Sequence, residues 1–228
     1  MSFIKNPGRF AGSLYVLISI PGVFALIYVP SKVIVHGDAA ATASNIAAHE
    51  TLFRWGIASE LICQILFMWV ALALYDLLKG VNRRQARVML GLIVVGVPIA
   101  LLNELNAMAA LLLVRGADFL GVFEKTQREA LAMVFLKLHG EGFGIAEIFW
   151  GLWLFPLGLL VYRSGFIPRV LGVLLIANGF PYLVNSFTGL LAPWYEHIVS
   201  RWMMPFGFGE LVFMFWLAIM GAEGKTRN

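Results

Sequence analysis

Six stretches, near residues 10–29, 55–75, 88–113, 143–162, 170–191 and 202–221, are each apolar over about the 20 residues that a helix needs to cross a bilayer core of roughly 30 Å. Only 13% of the 228 residues are charged, against about 25% in soluble domains, and the mean hydropathy is +0.83. The expectation is an all-α integral membrane protein: a six-transmembrane-helix bundle in a single transmembrane domain over residues 1–228. The first stretch follows Lys5 and Arg9 as a signal peptide would, but it is long and the Pro-Ser-Lys after it is a poor cleavage site. It is expected to remain as the first span.

The formal charge of +4 is distributed by topology. Lys5 and Arg9; Lys79, Arg83, Arg84 and Arg87; Arg163 and Arg169; and Lys225 and Arg227 cluster at alternate ends of the spans, which puts ten of the 17 Lys and Arg on one side. By the positive-inside rule that side is cytoplasmic and holds both termini. The basic balance is thereby accounted for by the lipid bilayer as partner, and no nucleic acid is expected. The lone cysteine, Cys63, falls within the second span, forms no intrachain disulfide and reads as a small apolar filler.

The two longest connections, 30–54 and 114–142, lie on the outer side, and neither is long enough for a soluble domain. In the first, Asp38 is placed to cap a short Ala-rich helix. In the second, Glu124/Arg128 and Lys125/Glu129 stand four apart, as exposed helical pairs do. The spans also resemble one another. Arg9–Gly12–Pro21, Arg87–Gly91–Pro98 and Arg169–Gly172–Pro181 repeat one spacing in the odd helices, while Ser59-Glu60-Leu61, Ala146-Glu147-Ile148 and Gly209-Glu210-Leu211 repeat in the even ones. The pattern reads as three repeated helical hairpins around a pseudo-threefold axis.

Depth along a helix follows from its rise of about 1.5 Å per residue. Counted from the inner charged ends, Glu60, Glu104, Glu147, Asn185 and Glu210 all come out roughly 20–25 Å above the inner face. A charged side chain at such depth costs at least about 2.5–3.5 kcal/mol, so these groups are expected to face each other or a wet cavity. Gln64, one turn from Glu60, and Asn103 and Asn106, flanking Glu104, widen the layer with hydrogen-bond partners. Clustered carboxylates in a low dielectric cannot all ionise, and a layer that shares protons is suited to accepting protons or cations.

The segment KLHGEGFGIAEIFWGLWLFPLG, 137–158, places His139 two turns from Glu147 with Gly140, Gly142 and Gly144 between. Two readings stand side by side: a vestibule over a buried acid, or helix packing through Gly140 and Gly144. Further along, Gly151 and Gly158 permit close helix contact around Pro156.

His36, His49, His139 and His197 all fall on the outer half, with carboxylates beside His49 and His197. No HExxH, no His pair one turn apart and no Glu-x-x-His of the di-iron bundles occurs, so no cofactor is expected. Should a metal ion be present, His139, His49 and His197 are its candidate ligands. There is no phosphate loop and no nucleophile elbow.

The stretches GDAAATASNI, LALYDLLKGVNRRQA and above all IFWGLWLFPLGLLVYRSGFIPRVLGVLLIANG resemble the bacterial multi-pass membrane family catalogued as domain of unknown function 4386, over nearly the whole chain. The resemblance implies a bacterial inner-membrane protein, and it carries no functional residues with it because the family's activity is undefined.

Three functional readings follow. The first is a non-enzymatic protein that binds or translocates a proton, a cation or a small amphipathic molecule at Glu60, Gln64, Asn103, Glu104, His139, Glu147, Asn185 and Glu210. The second is a membrane-embedded metal-dependent hydrolase using His139 with His49 or His197. The third is a structural or partner-binding subunit whose polar groups only hold helices together.

Overall fold

The structure, a computed structural model, describes residues 6–203 and 208–223, without the side chains of residues 196 and 200. Lys5, Lys225 and Arg227, which the orientation argument used, lie outside the described residues, as does the side chain of Glu196. Among the described residues the chain is helical, with no strand. The helices are α1 (Pro7–Val23), α2 (Val29–Val33), α3 (Ala39–Ala48), α4 (Glu50–Leu78), α5 (Arg83–Arg115), α6 (Lys125–Ser164), α7 (Arg169–Leu191), α8 (Glu196–Met203) and α9 (Phe208–Met220).

Five helical stretches are long and apolar enough to cross a membrane: Pro7–Val33, Glu50–Leu78, Arg83–Arg115, Lys125–Ser164 and Arg169–Leu191. Pro193–Met203 and Phe208–Met220, bent 41° from each other, make a sixth if they count as one span. Outward faces are made for lipid, with Leu102 66% and Ile219 67% exposed on helices that bury their other sides. The helices outrun the apolar stretches, because helix formation continues wherever backbone bonding and side-chain packing do, whereas hydropathy marks only the part that lipid can solvate. Thus the 40 residues of α6, about 60 Å long, take in much of the connection expected at 114–142. There Lys125 and Glu129 pair at 3.8 Å, while the Arg128 guanidinium lies against Gly116 instead of reaching Glu124.

The chain divides into two compact units, and α4, α5 and α6 each contribute to both. The first comprises Met1–Ile18, Ile65–Pro98 and Gly144–Asn228. Its core is centred on Trp153, which is fully buried, 5.1 Å from Phe67 edge-on and 6.1 Å from Tyr15. α6 and α7 meet through glycines: a Cβ at Gly158 would stand 2.6 Å from the Gly172 carbonyl oxygen, and one at Gly151 2.9 Å from that of Gly179. Each helix has its two glycines seven residues apart, so one face of each is bare backbone over two turns and the axes approach closely. α1 is fastened to the end of α9 by Gly8 N–H donating to the Ala222 carbonyl (2.9 Å) and Arg9 Nη2 donating to that of Ile219 (3.0 Å).

The second unit comprises Ser19–Gln64 and Ile99–Phe143. Here the helix begun by α1 widens to a π turn at Phe24–Tyr28, in which Val29 N–H donates to the Phe24 carbonyl, before α2 resumes. Pro30 follows immediately, and having no N–H it cannot continue the α ladder at that point. Asp38 caps α3 as expected, accepting from Ala41 N–H at 2.8 Å. Val29, Val33, Ile46, Phe53, Ile57, Ala107 and Leu111 pack together as the core.

Candidate functional site

The second unit contains a cavity of about 70 Å³, room for about two water molecules. One wall is the π turn and α2, through Leu26, Val29, Pro30 and Val33; the others are Phe53 and Ile57 of α4, Ala107 of α5 and Leu136 of α6. Three polar side chains share this apolar lining: Glu60, Glu104 and His139.

Each is held by its neighbours. On α4, Gln64 Nε2 donates to Glu60 Oε1 at 2.7 Å, a bond that the i, i+4 spacing makes easy. Both residues are only 2% exposed, yet Glu60 Oε2 and Gln64 Oε1 have no hydrogen-bond partner among the described residues. A buried acceptor left in that condition costs about 1–3 kcal/mol. Glu104, 2% exposed on α5, has Oε1 2.8 Å from His139 Nε2 on α6. Its neighbour Asn103 donates from Nδ2 to the His139 carbonyl oxygen at 2.8 Å and accepts from Asn106 Nδ2 at 3.0 Å. α5 thus grips both the ring and the main chain of one residue of α6. The Phe143 ring stands edge-on to the imidazole at 4.9 Å, fixing it from the other side.

The glycine-rich stretch acquires a specific meaning here. A Cβ at Gly142 would overlap the Asn103 amide, so this glycine makes room for the grip on His139. A Cβ at Gly140 or Gly144 would meet nothing within 4 Å, so no described helix packs through that pair.

Glu147, Asn185 and Glu210 belong to the first unit and have other surroundings. Glu210 of α9 receives three donors: Tyr15 OH of α1 on Oε1, and Tyr182 OH at 2.9 Å and Asn178 Nδ2 at 3.1 Å on Oε2, both from α7. Asn178 in turn accepts from Gly209 N–H at 3.2 Å. This carboxylate ties α1, α7 and α9 together. Its amide partner is Asn178, not Asn185, which lies seven residues further along α7 and has its Oδ1 without a partner among the described residues. Glu147 is partly buried and within electrostatic reach of Tyr182. None of the four glutamates is exposed.

Of the other histidines, His49 ends α3 and is exposed, as are His36 and His197. Among the described residues no three His, Cys, Asp or Glu side chains converge as a metal ion needs. Sequence reasoning missed Tyr15, Asn178 and Tyr182. Asn178 and Tyr182, four apart in the apolar run of α7 and so on one face of it, were the available signal.

The Glu60–Glu104–His139 arrangement puts two carboxylates and one imidazole in a small, largely apolar space. The Glu104–His139 contact can hold a proton between oxygen and nitrogen, and the unpartnered Glu60 oxygen can accept one from a bound donor.

Residues 10–221 match the model of a protein family described as Domain of unknown function (DUF4386). An uncharacterized protein of Archaeoglobus fulgidus is 40% identical over 79 residues, which make up 35% of this chain and 46% of that protein. The chain therefore spans about half the length of the curated relative it matches. No solved structure matches it.

Proposed function

The chain belongs to the DUF4386 family, and we propose that it binds, and passes on, a proton, a cation or the cationic head of a small amphipathic molecule at Glu60, Glu104 and His139. What supports this reading is one observation: Glu60, which has a buried carboxylate oxygen without a partner, lines a cavity together with Glu104 and His139. Two acids against one imidazole leave the cavity neutral or negative in every protonation state except the most acidic, so its occupant is a cation or a proton donor. Gln64 and Asn103 act as positioning residues, one orienting Glu60 and the other His139.

In this reading residues 1–228 form one transmembrane domain of six spans, with Pro193–Met203 and Phe208–Met220 together making the sixth, built as three repeated hairpins. The Lys and Arg clusters support cytoplasmic termini, and the resemblance of the sequence to a bacterial multi-pass family supports a bacterial plasma membrane.

The test is purified protein in vesicles, with proton flux followed by an internal pH dye and thermal stability measured against sodium, potassium, ammonium and methylammonium. Saturable flux or stabilisation that disappears in Glu60→Gln and Glu104→Gln, with both variants still monodisperse, is the expected result. Variants that behave as wild type throughout would refute the proposal.

For Glu210 a specific observation favours the structural reading instead. With three donors already on its carboxylate, it has little capacity left for a ligand.

A further inference from the structure

A groove of about 380 Å³ lies along α4 and α5 in the second unit, and none of the residues proposed to hold the cation lines it. Its length is apolar, through Leu61, Met108 and Leu112, and at one end stand Arg54 and Arg115. Glu50 Oε1 accepts from Arg54 Nε at 2.8 Å and lies 3.6 Å from Arg115 Nε. Both contacts use Nε, so the Nη nitrogens of the two guanidinium forks make no hydrogen bond to a described residue. Their side chains are 49% and 58% exposed, which leaves the forks accessible to a ligand.

Two guanidinium groups against one carboxylate leave a net charge of +1. Trp55, next to Arg54 and 61% exposed, has the amphipathic ring that settles at the boundary between headgroups and hydrocarbon, so the two arginines stand at headgroup depth. Below them Met108 and Leu112 are 41% and 45% exposed, an apolar strip leading toward the hydrocarbon.

We propose that this groove holds one phospholipid of net negative charge, its phosphate seated on the forks of Arg54 and Arg115 and one acyl chain lying along Leu61, Met108 and Leu112. Planar forks match phosphate oxygens in pairs. The single positive charge in excess is balanced by a phosphodiester alone; a zwitterionic lipid brings its own ammonium or choline, which the guanidinium pair repels.

Native mass spectrometry of the full chain, released from micelles containing phosphatidylglycerol and phosphatidylcholine with identical acyl chains, tests this. Phosphatidylglycerol should be retained at one per chain in preference to phosphatidylcholine. Arg54→Ala and Arg115→Ala should each weaken its retention about fivefold, and Glu50→Gln, which removes the site's one negative charge, should strengthen it by a similar factor. Leu112→Trp, filling the groove, should weaken retention of the lipid without changing the preference between headgroups. Equal retention of both lipids, or arginine variants that retain phosphatidylglycerol as wild type does, would overturn the assignment. Should an arginine variant fail to fold, the Glu50→Gln chain decides alone: an affinity for phosphatidylglycerol unchanged or lowered there overturns it.

Discussion

Glu104 Oε1 and His139 Nε2 meet at 2.8 Å across 35 residues of chain, on a carboxylate that is only 2% exposed. Breaking such a contact from one side leaves the other polar group buried without its partner, which costs about 1–3 kcal/mol, whereas replacing both partners with apolar groups is far cheaper. His139→Ala is therefore expected to lower unfolding stability by about 1–3 kcal/mol. The double replacement of His139 and Glu104 by Leu should recover most of that loss. Denaturant unfolding in detergent measures both, and a single variant as stable as wild type would remove the pair from any account of this unit.

Glu210 gathers Tyr15, Tyr182 and Asn178 from two other helices. Glu210→Ala strands three buried donors at about 1–3 kcal/mol each, so a loss of several kcal/mol and a large drop in thermal midpoint are expected. Glu210→Gln keeps one acceptor oxygen and should cost less. Proton or cation binding by the Gln variant, scaled to its folded fraction, should match wild type. A selective loss of binding would assign Glu210 to the ligand after all.

The glycines of α6 and α7 divide into two kinds. Gly172→Ala puts a Cβ 2.5 Å from the Gly158 carbonyl oxygen and should destabilise by about 1–3 kcal/mol through overpacking. Gly142→Ala should also destabilise, because the new methyl displaces the Asn103 amide. Gly140→Ala and Gly144→Ala meet nothing and should stabilise by up to about 1 kcal/mol, the helix propensity difference. Thermal midpoints of the four variants in one detergent suffice, and destabilisation by Gly140→Ala would point to a packing partner on that face.

Cys63 is buried, 9% exposed, in α4. A maleimide should leave it unmodified in the folded protein and label it once per chain after denaturation, as read by intact mass. Rapid labelling of the native protein would show that this part of α4 opens to solvent.

The acids were legible in the sequence, and their burial was too, because a charge in an apolar run has few places to go. Asp38 as a helix cap was legible for a similar reason: capping is local chemistry over three residues. The tight contact of α6 with α7 was half visible, through Gly151 and Gly158, while its other half, Gly172 and Gly179, showed only once the two helices were laid together.

The partners of each acid were not legible. Helical rise sets how deep a residue lies, but depth says nothing about which neighbouring helix faces it or how that helix is rotated. Counting along α7 selected Asn185, whereas Asn178, two turns earlier on much the same face, and Tyr182 reach Glu210. Counting from charged ends assumes that neighbouring helices start at one level, and packing sets their relative heights by other contacts. Hydropathy and periodicity were enough to make this a helical protein of the membrane with charges inside it. Whether a given carboxyl group is saturated, like Glu210, or keeps an oxygen without a partner, like Glu60, depends on contacts between residues far apart in the chain, and these arise only when the helices pack.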